Sequence, residues 1–220
     1  MKIISFGGSI LYDNNSNFRY NYLKRVKKIL DDIDEKLIFV VGGGRLAREL
    51  IKRASIIDNE ESYLDRVGIF STKINALMFS KIFDSRFIEF NSLKDDFSII
   101  EDINSNVVLS GIVPGVTTDY DAVHIANELD VSKVYNFTDV DYWYYNLKTK
   151  EPIECITYEE LEEEFDLDYK PGMNIPFDPK ALNLARKHSI SIYVMNGNKI
   201  SKISDFVNND DFTGTKILSN

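Results

Sequence analysis

Apolar residues along this chain fall into two alternating patterns, short continuous runs and longer stretches with helical spacing. The continuous runs, which predict buried strands, cover residues 2–6, 37–41, 87–90, 107–109, 134–137 and 191–195. The helically spaced stretches cover residues 22–33, 46–54, 62–82 and a segment that ends near Leu129. A hairpin or loop is predicted at residues 142–149, and a helix with a solvated acidic face at residues 157–168. Strands that alternate with helices predict right-handed βαβ units and a mainly parallel sheet.

Several of the predicted strands run directly into turns rich in glycine, threonine or aspartate. These turns lie at residues 7–9, 42–44, 110–119 and 138–141. In an open parallel sheet the carboxyl ends of the strands form one edge, and ligands bind there. Bare backbone N–H groups and helix N termini at that edge attract phosphate. The pattern therefore predicts an enzyme that handles phosphate groups.

Composition narrows the class of protein. The 220 residues are 44% hydrophobic, which suffices for one continuous domain over residues 1–220. The formal charge of −9 argues against a protein that coats nucleic acid, because such proteins neutralise phosphates with Lys and Arg. Cys155 is the single cysteine and fits a reducing compartment. No run reaches about 18 consecutive apolar residues and the chain opens on a strand pattern, so we expect a cytoplasmic protein without a membrane partner.

The second glycine turn is the strongest local signal. Gly42, Gly43 and Gly44 allow a close approach of the backbone to a ligand, and Arg45 and Arg48 follow at the start of the next helix. The alternative is a tight strand-to-helix turn with surface arginines. No Gly-Lys-Ser/Thr follows, so the turn is not a Walker A loop, and it does not match the dinucleotide fingerprint. The first turn repeats the same logic with less specificity.

The remaining turns offer hydroxyls and carboxylates. Thr117, Thr118 and Asp119 could hold an acceptor phosphate and orient a neighbouring cation, or they could simply cap a helix and complement its dipole. The turn at residues 138–141 could equally be an ordinary acidic turn. His124 and His188 lack spaced partners for a metal site or a catalytic triad, so we expect no metal site built from protein residues alone.

Taken in order, these turns resemble the amino acid kinase superfamily over essentially the whole chain. The resemblance also includes Asp65, Asp178-Pro179 and Gly214-Thr215. The motifs most similar to its archaeal UMP kinase branch are Gly-Gly-Gly-Arg-Leu-Ala-Arg at 42–48, Tyr63-Leu64-Asp65-Arg66-Val67-Gly68 with Lys73-Ile74-Asn75-Ala76, and Pro-Gly-x-Thr-Thr-Asp at 114–119. The resemblance implies a three-layer α/β/α sandwich with a largely parallel central sheet. It also implies a homohexamer that transfers the γ-phosphoryl group of ATP to UMP with Mg²⁺.

The resemblance implies a role for each turn. Arg45, Arg48 and Asp119 would be catalytic, and Gly7, Gly8, Ser9, Gly44 and Arg48 would line the ATP phosphates. Thr138, Asp139 and Tyr144 would lie along the ATP nucleoside. The UMP site would comprise Gly43, Asp65 at the ribose, and the loop of Val113, Pro114, Gly115, Val116, Thr117, Thr118 and Asp119. In-line positioning and charge neutralisation are what phosphoryl transfer requires.

The sequence also departs from the family pattern. Ser5 or Phe6 stands where many relatives carry a lysine, so Arg45, Arg48 or a metal would offset the transferring charge. Tyr142 stands where the family has a glycine, which predicts a reshaped adenosine pocket. Two alternatives follow: a superfamily kinase that acts on another small molecule, or a nucleotide-binding relative without turnover.

Overall fold

The computed structural model describes residues 1–146, 149–165, 177–208 and 212–219. The strands are β1 Lys2–Phe6, β2 Leu37–Val41, β3 Arg86–Phe87, β4 Val107–Leu109, β5 Lys133–Thr138, β6 Trp143–Asn146, β7 Glu151–Ile153, β8 Cys155–Thr157, β9 Ser191–Asn196 and β10 Thr215–Leu218. The helices are α1 Gly8–Leu11, α2 Tyr20–Leu30, α3 Gly44–Ala54, α4 Glu61–Ile82, α5 Thr118–Glu128, α6 Tyr158–Glu164, α7 Pro179–Lys187 and α8 Ile200–Asn208. A 3-10 turn covers Phe97–Ile100.

Eight strands form one sheet in the order β3-β4-β2-β1-β5-β9-β10-β8. Every neighbouring pair in it is parallel except β9 and β10, which are antiparallel. Strands β6 and β7 form a separate antiparallel hairpin. The carboxyl ends of β1, β2, β4 and β5 therefore lie side by side, as ligand binding at a sheet edge requires.

Side chains that point alternately to the two faces of the strands form a hydrophobic core on each face of the sheet. From β1, Ile4 and Phe6 pack with residues of α2, α4 and α8, whereas Ile3 packs with residues of α5 and α7. Successive side chains of a strand point to opposite faces, so continuous apolar runs are what a sheet covered on both sides needs. The predicted α/β/α sandwich with a largely parallel sheet is confirmed.

Most predicted elements are present, with bounds that differ by a few residues. The strand predicted at 87–90 is wrong beyond Phe87: β3 covers Arg86–Phe87, although the Ile88 N–H still donates to the Val108 carbonyl of β4 at 3.0 Å. The hairpin prediction is confirmed by β6 and β7, although residues 147 and 148 lie outside the described part of the chain. The acidic helix is present as α6, with Leu161 buried, and residues 166–168 of the predicted span also lie outside the described residues.

Helix α4 reverses the expected pattern of burial over part of its length. Phe70, Ile74 and Leu77 are 62%, 48% and 52% exposed, whereas the polar residues Thr72 and Asn75 are buried. The apolar side chains form one stripe on the helix because positions four and three apart share a face. The helical spacing of the apolar residues predicts a helix, but it does not decide which face of that helix is buried.

No helix in the described ranges combines the length and the apolarity that a membrane crossing requires.

Candidate active site

Backbone hydrogen bonds bring the predicted turns together at the carboxyl edge of the sheet. The Gly7 N–H donates to the Phe137 carbonyl at 2.8 Å, and the Gly42 N–H donates to the Phe6 carbonyl at 3.0 Å. The Gly111 N–H donates to the Thr72 hydroxyl on α4 at 2.9 Å. The turns after β1 and β2 are thus joined to the ends of the neighbouring strands, and the turn after β4 is held against α4.

The first two glycine turns touch through their main chains. A Cβ atom built on Gly8 would lie 2.2 Å from the Gly44 nitrogen and 2.6 Å from the Gly42 oxygen. Gly44 also has a φ of +56°, a conformation that side chains disfavour. A side chain at either position would separate the two turns.

Two cavities open at this edge. Cavity A has a volume of about 310 Å³, and its lining is Gly43, Gly44, Ala47, Arg48, Ile51, Asp65, Gly68, Ile69, Thr72, Gly111, Val113, Val116, Thr117 and Thr118. Cavity B has a volume of about 410 Å³, and its lining is Ser9, Tyr12, Asp13, Asn14, Arg19, Arg45, Arg48, Asp139 and Asn198. The structure therefore brings most of the predicted phosphate- and nucleotide-binding residues to two adjoining spaces.

Arg48 lines both cavities and its side chain is exposed. Within the described ranges it makes no hydrogen bond or ion pair, so its five donors are available to a ligand. The other two arginines of cavity B are engaged: Arg45 donates to the Asn14 carbonyl at 2.9 Å, and Arg19 donates to Asn198. Arg48 is thus the cation that can contact ligands in both spaces at once.

Side chains of α4 and α7, together with the residues that cap α5 and α7, hold the loop before α5. On one side of it, Asp65 of α4 accepts the Gly115 N–H at 2.7 Å. Lys180 of α7 donates to the Gly115 carbonyl at 2.9 Å. Thr117 caps α5, and its hydroxyl donates to Asp178, which itself caps α7, at 2.5 Å. The capping role weighed for Thr117 in the sequence is therefore confirmed, and the cap also ties α5 to α7.

Asp119 lies in the first turn of α5, above the ends of β1 and β5. It accepts hydrogen bonds from the Ser5 hydroxyl at 2.7 Å and from the Asn136 amide at 2.8 Å. Burial raises the pKa of Asp119 to about 6, with the nearby charge of Asp178 adding to the effect and the Ser5 hydrogen bond opposing it. Asp119 is not among the residues that line cavity A or B.

A second carboxyl group lies deeper on α5. Asp121 is 1% exposed, and its Oδ2 accepts the Ile112 N–H at 3.2 Å. Its Oδ1 finds no hydrogen-bond partner within the described residues. Burial raises the pKa of Asp121 to about 8, with the nearby charges of Asp119 and Asp178 contributing to the rise and the Ile112 N–H opposing it. Asp121 is therefore largely protonated at neutral pH.

The fourth turn is only partly drawn into the site. Asp139 lines cavity B, and Thr138 contacts it through its hydroxyl at 3.4 Å. Tyr144 lies in β6, with its ring centroid 6.5 Å from that of Tyr142, and lines neither cavity A nor cavity B. Tyr142 lines a separate space of about 580 Å³ that we call cavity C. The predicted nucleoside role of Tyr144 stays a prediction.

Gly7, Gly8, Pro114, Gly115 and Asp119 line neither cavity A nor cavity B. The roles of Thr72, Asp121 and Asn198 were not predicted from the sequence. Asn75 was predicted only as part of a motif, although its amide donates to the carbonyls of Gly42 and Gly43. Residue type gave no signal for Thr72 and Asn75, because α4 also carries exposed polar residues such as Lys81.

Comparison with known proteins agrees with this geometry. The model of the amino acid kinase family matches residues 1–196. The chain is 28% identical over 204 residues to a protein named uridylate kinase from Archaeoglobus fulgidus, covering 89% of this chain and 90% of that one. It is 30% identical over 210 residues to a uridylate kinase from Staphylothermus marinus, covering 91% and 92%.

Solved structures give the same result for the fold. The crystal structure of the Archaeoglobus fulgidus uridylate kinase superposes with a TM-score of 0.79 at 25% identity, over 99% of this chain and 100% of that one. An aspartate kinase from Synechocystis gives a TM-score of 0.76 at 16% identity, a likeness of fold alone, over 99% of this chain and 39% of that one. With the family model matched over residues 1–196 and the glycine turns meeting at one sheet edge, the chain belongs to the amino acid kinase family.

Proposed function

We propose that this protein transfers the γ-phosphoryl group of ATP to UMP, giving UDP and ADP. The observation that carries the proposal is the meeting of two cavities at one unpaired arginine, Arg48, beside two touching glycine turns. Two ligands that must exchange a phosphoryl group need adjoining sites and a shared positive charge. The relatives named uridylate kinase, which align over nearly the whole chain, support UMP as the acceptor.

Cavity A is the proposed UMP site. The backbone of Gly43 and the hydroxyls of Thr117 and Thr118 border it and would receive the UMP phosphate. Gly44, which the resemblance assigns to the ATP phosphates, lines this cavity as well, and its N–H would contact the UMP phosphate instead. Asp65 lines the same cavity and would accept hydrogen bonds from the ribose hydroxyls. Asp65 accepts the Gly115 N–H in this structure, so UMP would have to share or replace that bond.

Cavity B is the proposed ATP site. Ser9, Arg45 and Arg48 would contact the phosphates, and Asp139 would lie towards the nucleoside. The role of Arg48 is to hold both reactants in line and to offset the charge that spreads over the transferring group. Gly7 and Gly8 would support this site by fixing the position of the turn after β1.

Mg²⁺ is proposed as the ion that arrives bound to ATP. The carboxylates of cavity B are Asp13 and Asp139, and both oxygens of Asp13 already accept hydrogen bonds from Asn15 and Asn17. Asp139 is exposed and fits an ion that takes most of its ligands from phosphates and water. The described residues contain no group of three metal-binding side chains. Mg²⁺ would neutralise charge on the ATP phosphates.

Asp119 is proposed to act by positioning. Its hydrogen bonds to Ser5 and Asn136 join the ends of β1 and β5 to the first turn of α5. Since neither strand end carries a lysine, the carboxyl group meets only neutral donors there. It would fix the start of α5 and with it Thr117 and Thr118.

Self-association is proposed through the apolar stripe of α4. Phe70, Ile74 and Leu77 expose about half or more of their surface, and Ile56 and Ile57, which follow α3, are 84% and 81% exposed. An exposed apolar stripe on a helix is typical of subunit interfaces. The resemblance suggests a homohexamer in the cytoplasm, and sedimentation equilibrium of the purified chain would test the assembly.

The function is tested by coupling ADP release to a spectroscopic assay with UMP, CMP, AMP and dTMP offered in parallel. We expect turnover that requires UMP and Mg²⁺. No turnover with UMP while another acceptor works would refute the assignment of the acceptor. Nucleotide binding by calorimetry with ADP release at background for all acceptors would instead identify a relative without catalysis.

A further inference from the structure

The second glycine turn is held from behind by one buried side chain. Asn75 of α4 is 0% exposed, and its Nδ2 donates to the Gly42 carbonyl at 2.9 Å and to the Gly43 carbonyl at 3.0 Å. Its Oδ1 accepts the Tyr12 hydroxyl at 2.7 Å. All the strong hydrogen-bonding positions of this amide except one lone pair are therefore engaged.

These bonds, together with the Ala47 N–H that the Gly43 carbonyl also accepts at 3.2 Å, determine where the amides of the turn point. In a planar trans peptide the C=O and the following N–H are directed to opposite sides. Because the carbonyls of Gly42 and Gly43 face Asn75, the N–H groups of Gly43 and Gly44 face away from it. Neither N–H donates to an acceptor within the described part of the chain, and both glycines line cavity A.

The two carbonyls give the amide a single orientation. A neutral carboxamide can turn by about 180° and exchange its oxygen and nitrogen, which would direct an acceptor at the two carbonyls. The Tyr12 hydroxyl can donate or accept, so it adapts to the orientation that the carbonyls require and donates to Oδ1. Tyr12 also lines cavity B, and the pair thus connects the walls of both cavities.

We infer that Asn75 is a positioning residue for phosphoryl transfer: it turns the Gly42 and Gly43 peptides so that two backbone N–H groups face the acceptor phosphate. The inference rests on the proposed function for the identity of that acceptor. Asn75 itself does not line cavity A, and it acts through the main chain. Preorganised amides that need no reorientation stabilise charge on a phosphate at the moment of reaction.

The test uses Asn75→Leu, which keeps the branched shape with a larger volume and removes the donors, and Asn75→Asp, which replaces the donor by an oxygen. Ser71→Ala is the matched control, because Ser71 is also buried on α4 and, among the described residues, its hydroxyl bonds to the Val67 carbonyl one turn earlier and to no other group. We expect kcat/KM for UMP to fall at least about tenfold in both Asn75 variants. The KM for UMP should rise more than the KM for ATP, since Gly43 and Gly44 line cavity A alone. Ser71→Ala should keep both KM values.

A purely structural role would lower the active fraction, and with it kcat, without changing either KM, and that result would overturn the inference.

If a variant does not fold, Tyr12→Phe serves in its place, with a smaller rise in the KM for UMP. In the double variant Tyr12→Phe/Asn75→Leu, the KM for UMP should not exceed that of Asn75→Leu, because the hydroxyl reaches cavity A only through Asn75. Turnover of UMP by the wild type is measured alongside. Its absence would refute the proposed function. Normal turnover by the wild type, with unchanged KM values in the variants, would refute the positioning role alone.

Discussion

The buried carboxyl of Asp121 makes a prediction about stability that does not depend on the activity. The pKa of Asp121 in the folded protein is about 8, against an ordinary value of 3.8. The folded state therefore binds this proton more tightly than the unfolded state does. Between about pH 4 and pH 8 the folded chain holds more protons, so its free energy of unfolding decreases as the pH rises through this window.

The size of the effect follows from that difference in pKa. At about 1.4 kcal/mol for each pKa unit, the ceiling is about 6 kcal/mol. Relaxation and water entry reduce such values for buried groups, so we expect at least about 2 kcal/mol. Asn is nearly isosteric, keeps an oxygen for the Ile112 N–H and cannot ionise. Asp121→Asn should therefore lose most of this dependence on pH and become more stable than the wild type at pH 8.5.

The assay is urea unfolding followed by circular dichroism at several values between pH 5 and pH 9, at a fixed protein concentration. Asp119, whose raised pKa of about 6 acts in the same direction at lower pH, is present in both proteins, so the comparison isolates Asp121. Asp130→Asn is the control, because Asp130 is exposed just after α5 and its φ of +52° suits Asn. Parallel curves for the wild type and Asp121→Asn would refute the reasoning.

Three further predictions follow from the site and the core. Arg48→Ala should lower kcat/KM at least about 100-fold, because no other unpaired cation borders both cavities within the described residues. As a control, Arg53→Ala, which changes an exposed arginine on the same helix, should keep kcat/KM within about twofold of the wild type. Equal losses of kcat/KM in the two variants, measured by steady-state kinetics, would contradict this role of Arg48. Asp65→Asn should raise the KM for UMP about tenfold and leave the KM for ATP unchanged, and an equal change in both would remove Asp65 from the acceptor site. Phe79→Ala should lower the free energy of unfolding by about 3–5 kcal/mol, because Phe79 is 0% exposed and stacks on Phe83 with ring centroids 3.8 Å apart. A decrease below about 1 kcal/mol, measured by urea unfolding, would contradict this packing.

The sequence predicted the central strands well because they are buried on both faces. Such strands read as continuous apolar runs, and β1, β2 and β5 each do so between turns that break the run. Strand β10 carries no comparable signal. It has four residues, alternates in burial, and exists because β9 and β8 lie on either side of it, which is information that distant parts of the chain supply.

The candidate site shows the same division. Glycine turns and the loop before α5 were visible because their residue types are unusual after a strand. The supporting side chains were not, since Thr72 and Asn75 meet their partners only after α4 has packed against the ends of β2 and β4. A polar residue on a helix is equally compatible with solvent, and the sequence alone does not decide between the two.

The contact between Gly8 and Gly44 constrains how this protein can change over time. A methyl group on either glycine would meet the main chain of the other turn, which no rotamer change can move aside. A second substitution at the partner position adds another atom to the same space instead of relieving the first. The pair therefore offers no neutral route through single replacements, and any descendant that keeps these two turns in contact must keep both glycines.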